Sequence, residues 1–175
     1  MIKTILSFFI FFLLSTKVYS TNVAVIDVNY IINNSYQFIE ITKKINDSQI
    51  EIKNKFINIE NDLIQKKNEL EDLKLILNEN EFNLKKIKYY EEVSNFENEV
   101  SNFNSHYENE IANIKNLLYS KIAELIQNYS IENQYDLILE KNQYLIVSDK
   151  LNITDVIFVK LNNLKIDLKF SKYES

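Results

Sequence analysis

Residues 52–77 read IKNKFINIENDLIQKKNELEDLKLIL, and within them Ile52, Phe56, Ile59, Leu63, Lys66, Leu70, Leu73 and Leu77 stand at spacings that alternate four and three. A repeat of about 3.5 residues keeps one stripe of a helix facing a partner helix, so this is a heptad seam with one charged interruption at Lys66. A second run follows at Val93, Phe96, Val100, Phe103, Tyr107, Ile111, Ile114, Leu118, Ile122, Leu125 and Tyr129. Two consecutive spacings of four meet at Tyr107–Ile111 and again at Leu118–Ile122. Such stutters locally unwind a coiled coil, or widen the apolar face where more than one neighbour packs.

Between the runs lies the polar stretch Asn78-Glu79-Asn80-Glu81-Phe82-Asn83. A chain without glycine is expected to use Asn for left-handed turns, which puts a hairpin tip near 78–84. Each arm of about 45 residues then measures on the order of 65 Å. One unbroken helix that pairs with another copy remains the alternative. Arms this long have little core, so stability must come from their base or from oligomerisation.

Working outward, Thr21-Asn22-Val23-Ala24-Val25-Ile26-Asp27-Val28 reads as a short buried strand. Asn33-Asn34-Ser35 offers side chains to cap the helix that follows. On the far side, Tyr135–Glu140, a turn at Lys141-Asn142-Gln143 and Tyr144–Ser148 read as a β-hairpin. A last helix opens at Ile153-Thr154-Asp155-Val156, with Thr154 as its expected N-cap. The expected fold is mainly α with a small β body, a long antiparallel coiled-coil hairpin being inserted between its strands. Residues 1–20 carry Lys3, an apolar run and small residues at Val18 and Ser20, the order of a cleavable secretory signal peptide. An uncleaved anchor is the other reading. The domain division is therefore 1–20 signal peptide, 21–34 with 132–175 body, and 35–131 arm.

The composition narrows the chemistry. The 175 residues include no Gly, Pro, Cys, Trp or Arg. Without Cys there is no disulfide and no thiolate. Without Gly there is neither a P-loop nor a dinucleotide fingerprint. Past residue 20 the chain holds 18 Lys against 25 acids, net −7, with the excess acid in 21–135. That sign disfavours nucleic acid. The single His106 has no second His or Cys to converge with and reads as a solvated helix residue. Adjacent acids such as Glu91 and Glu92 do not share a helix face. No catalytic residue, metal site or cofactor is expected, and the chain reads as a non-enzyme.

Two features of the arm invite binding. Lys85, Lys86 and Lys88 lie just past the expected tip, as a membrane-surface contact or as a solvated helix start. Phe82, Tyr89 and Tyr90 lie in the same distal part. Tyr89 and Tyr90 are neighbours and cannot both face the seam, so at least one is open to an apolar partner. Packing inside the hairpin accounts for Phe96, Phe103 and Tyr107.

The signal peptide, the Val23–Val28 strand, the helical hairpin, Tyr135-Asp136-Leu137-Ile138-Leu139 and Ile153-Thr154-Asp155-Val156, in that order, resemble the Skp/OmpH family of periplasmic chaperones. The resemblance implies a homotrimer whose strands build a central trimerisation body. Val23, Val25, Ile26, Val28, Leu137, Leu139, Leu145 and Val147 would belong to that body. Three hairpins would hang from it as tentacles around a cavity that holds unfolded outer-membrane β-barrel proteins in the periplasm, without ATP. Weak membrane or lipopolysaccharide contact is also implied by the resemblance, although this chain is acidic where family arms are basic. Gln134 stands where the family has a glycine. A structural spacer of coiled-coil type is the competing reading, and exposed cavity-side aromatics separate the two.

Overall fold

The computed structural model describes residues 21–174. The expected signal peptide lies outside the described residues. Strand β1 (Val23–Ile26) is followed by helices α1 (Val28–Asn34), α2 (Tyr36–Leu73) and α3 (Glu79–Asn133), then β2 (Leu137–Glu140) and α4 (Thr154–Asn162). At 1.5 Å per residue, the 38 residues of α2 and the 55 of α3 run about 55 and about 80 Å. They pair as a hairpin that leaves and returns to the small body. β1 and β2 lie parallel, with Val23 opposite Leu137 and Ile26 opposite Glu140.

The two heptad runs form the seam, except that Ile59 is exposed. Phe56 and Leu63 of α2 are buried, as are Phe103, Tyr107, Ile114, Leu118 and Ile122 of α3. Phe56 stacks edge-on against Phe103 at 5.2 Å and against Phe96 at 5.8 Å. Burial weakens toward the tip because a two-helix arm gives each helix one neighbour. Lys66 interrupts the seam for a reason visible in space. Its Nζ bridges Asp62 at 2.7 Å on its own helix and Glu92 at 2.9 Å on α3. These hydrogen bonds, to Asp62 first and then Glu92, raise the Lys66 pKa above its ordinary value.

In the body, Ala24, Ile26, Ile31, Ile153, Ile157 and Leu161 are buried in one core continuous with the seam of the arm. Ser35 separates α1 from α2. It is fully buried with extended backbone, and its hydroxyl accepts from the Phe38 N–H while donating to the Ile32 carbonyl.

Several expectations need correction. The turn lies at 74–78, ahead of the expected 78–84. Main-chain bonds from Lys74, Leu75, Ile76 and Leu77 back to residues 71–73 wind it tightly, and Asn78 serves as the N-cap of α3 through its side chain to Glu81 N. Among the described residues, the one with positive φ is Gln134, at 55°, where it ends α3. Val28 opens α1 and is not strand, because the Asp27 carboxylate accepts from Tyr30 N and starts a helix there. Tyr144–Ser148 forms no strand. Lys141–Gln143 instead turns as a short 3-10 helix, so the following segment has no partner on β2. Thr154 is the first residue of α4, with Ile153 at the cap position. Its hydroxyl is engaged elsewhere, accepting from Asp27 N at 2.9 Å. Finally, residues 163–174, assigned above to the body, run back along the arm, with Ile166, Leu168, Phe170 and Tyr173 packed against its core.

Candidate functional site

The side chains that the fold leaves uncovered lie on the arm and at the edge of the body. On α2, Ile50, Ile57 and Ile64 recur every seven residues and therefore share one face, and each is more than half exposed (56, 54 and 53%). That face is turned away from the seam made by Phe56 and Leu63. At the tip, Leu75 and Ile76 are 91 and 77% exposed. They sit in the tight turn, where no helix face can cover them. Just beyond, Leu84, Ile87 and Tyr90 on α3 are also exposed.

Of the three aromatic candidates, Phe82 and Tyr89 are half-buried and Tyr90 is exposed. Tyr89 and Tyr90 stack edge-on at 5.4 Å, with the Lys86 ammonium 6.0 Å above the Tyr90 ring. Tyr89 also faces a shallow groove shared with Lys66, Leu70, Leu73, Lys85 and Glu92. The distal arm thus presents aliphatic and aromatic surface interleaved with lysine stems. Such a surface can make many weak apolar contacts without a shaped pocket.

At the body, Val25, Ile26 and Val28 are buried within the single chain, and Val23, Leu139 and Val147 are half-buried. Leu137 is exposed, and Leu145 and Ile146 stand almost fully in solvent. The candidate body residues therefore divide into an inner set already covered and an outer set that is not. The Asp27 carboxylate sits between these parts. Burial pulls its pKa up, but the Lys141 hydrogen bond at 2.7 Å, the Tyr30 N–H and the Lys141 charge outweigh this and hold it below the usual value.

The middle of the arm carries a contact that the sequence reading missed. His106 is half-buried and has partners: its Nε2 lies 2.9 Å from the Ser171 carbonyl, and its ring stacks edge-on with Tyr107 and Tyr173. Glu110, one turn on, accepts from Ser171 N at 3.1 Å and from Ser171 Oγ at 2.7 Å. The strict alternation Ile166-Asp167-Leu168-Lys169-Phe170 was available as a signal for an extended segment with one apolar face. The exposed Ile50, Ile57 and Ile64 were equally legible by spacing, but the stronger seam beside them masked the second stripe.

Among the described residues, no group of acids and histidine is arranged to hold a metal ion, and no helix is long and apolar enough to cross a membrane. A family model described as outer membrane protein (OmpH-like) matches residues 22–161. Among solved structures, the chain is similar to a candidate outer membrane chaperone (OmpH-like) from Caulobacter crescentus. That match has 10% identity and a TM-score of 0.71, and covers 90% of this chain and 93% of the other. At that identity the likeness is one of fold. No curated protein matches the chain in sequence. The family match runs from β1 through the whole arm and into α4, and the chain belongs to the OmpH-like outer membrane protein family.

Proposed function

We propose that this protein is an ATP-independent holdase of the periplasm, binding unfolded outer-membrane β-barrel proteins between its helical arms and keeping them from aggregating. The observation that carries the reading is the uncovered isoleucine stripe Ile50, Ile57 and Ile64, continued by Leu75 and Ile76 at the tip. A hairpin that only spaced other proteins would gain nothing from leaving these residues in water, and would gain solubility by losing them. Each contact with a client is weak, and affinity comes from their number. A client held this way can exchange contacts quickly and leave without an energy source.

The same reading has three chains joined through the body. A two-stranded sheet is marginal by itself, and here Leu145 and Ile146, in the segment after β2, lie uncovered. A neighbouring copy would cover them, and three arms around one axis would turn the isoleucine stripes into the lining of a cavity. The experiment is a dilution assay: a urea-unfolded outer-membrane β-barrel protein diluted with and without residues 21–175, followed by light scattering. Suppression without ATP, reduced by polar substitutions at Ile50, Ile57 and Ile64, supports the holdase. Unchanged scattering at large excess removes it and leaves a spacer.

A further inference from the structure

We propose that the groove between α2 and α3 in the middle of the arm is a binding site for an extended polypeptide with apolar residues at alternate positions, and that the C-terminal tail occupies it in cis. The inference rests on the holdase reading for the identity of the competing ligand, a segment of an unfolded protein destined to become a transmembrane β-strand. The tail, residues 163–174, lies beyond residues 22–161, which the family model matches.

The tail is bound as a strand would be. Ile166, Leu168 and Phe170 are half-buried against the arm, while Lys165, Asp167 and Lys169, each one position before them, are exposed. This is the period of two in which an extended chain turns alternate side chains to one surface. Helices have no free backbone edge to offer such a guest, so side chains must take over its peptide groups. At Ser171 they take both: Glu110 accepts from the N–H at 3.1 Å and His106 Nε2 donates to the C=O at 2.9 Å. Two residues on, the Tyr107 hydroxyl accepts from Tyr173 N at 3.4 Å and is itself held 3.0 Å from Ser48 Oγ on α2.

Peptide groups are common to every sequence, so recognition of this kind asks only for an extended backbone and apolar residues in register. The Tyr173 ring, 5.5 Å from Phe103, adds an aromatic anchor at the far end. A tethered occupant sees its groove at millimolar effective concentration, so modest contacts keep the site filled until a longer client displaces the tail.

The test uses the full chain from residue 21. A Phe170→Asp, Tyr173→Asp double variant puts charge against the apolar groove and expels the tail. Binding of a fluorescein-labelled peptide with the sequence of residues 163–175 is followed by anisotropy, alongside a control peptide of the same composition with its apolar residues in one block. The double variant is expected to bind the alternating peptide about tenfold more tightly than wild type does, and more tightly than it binds the control. Equal binding by both proteins, equal binding of both peptides, or none with helicity intact overturns the proposal.

Should the variant lose its helicity, an Asp47→Cys, Lys172→Cys pair, which lines the same groove and leaves His106, Tyr107 and Glu110 in place, serves instead. These are the only thiols in the chain, and a short cleavable linker between them holds the tail down. Peptide binding that rises on cleavage supports the site, and binding unchanged by cleavage overturns it. Aggregation suppression measured on the same samples separates the two readings. Suppression indifferent to the linker keeps the holdase and loses the groove, whereas peptide capture without suppression keeps the groove and loses the holdase.

Discussion

The hydroxyl of Thr154 accepts a hydrogen bond from the backbone N–H of Asp27 at 2.9 Å, across 127 residues of sequence. Asp27 is where the chain leaves β1 to begin α1, and Thr154 is where it commits to α4. This bond therefore ties the start of the fold to its end, with the whole arm looped out between.

Thr154→Val keeps the shape and removes the acceptor. It leaves the Asp27 N–H unpaired in a partly buried place, at a cost of about 1–3 kcal/mol. Thermal unfolding followed by circular dichroism should show a lower melting temperature. Thr154→Ser, which keeps the oxygen, should recover most of the loss.

Asp27 makes the body sensitive to acid. Burial raises its pKa, but Lys141 and the Tyr30 N–H lower it by more, so its folded value lies below the ordinary one. A depressed carboxyl contributes fully above its unfolded pKa and loses that contribution as pH falls through the folded value. Asp27→Asn keeps a side-chain oxygen for the cap and removes the charge. It should melt below wild type at pH 7, and the gap should close in the acid range below about pH 4. A gap independent of pH would contradict this.

Gln134 ends α3 in the left-handed conformation, with φ 55° and ψ 42°. A side chain there costs about 1 kcal/mol that glycine does not incur. Gln134→Gly should raise the melting temperature by about 2–4 °C.

Leu145 and Ile146, in the segment after β2, are apolar residues that the single chain leaves almost fully bare. If copies join through the body as proposed, Leu145→Asp with Ile146→Asp should leave monomers in sedimentation, at nearly unchanged helicity, because the arm owes nothing to them. A sedimentation coefficient equal to that of wild type would contradict a body completed by neighbouring copies.

The arm was legible in the sequence because heptad spacing is a property of the helix itself: Phe56, Leu63, Phe103, Leu118 and Ile122 sit in the seam that their spacing indicated. The stutter at Tyr107 was legible too, and there Tyr107 has a second neighbour in Tyr173. What sequence alone misread was decided by tertiary partners. Thr154 looked like a cap, but its hydroxyl is taken by a backbone group 127 residues away. Tyr144–Ser148 has strand composition, but composition supplies no partner strand, and the 3-10 turn at Lys141–Gln143 carries it away from β2. The tip moved forward because Asn78 is worth more as an N-cap than as a left-handed turn residue. His106 looked isolated because its partner, Ser171, comes from a tail with no helical period.

The most direct measurement is aggregation suppression by wild type and by an Ile50→Ser, Ile57→Ser, Ile64→Ser variant, read as light scattering from a diluted, urea-unfolded β-barrel protein. These side chains lie outside the seam, so the variant should keep its helicity and its sedimentation behaviour. The account predicts that wild type suppresses scattering without ATP, saturating near three chains per client if the proposed trimer is the working unit. It also predicts that the variant needs several-fold more protein for the same effect, because multiplicity of weak contacts sets the affinity. Equal suppression by a folded variant, or none by wild type, would contradict it.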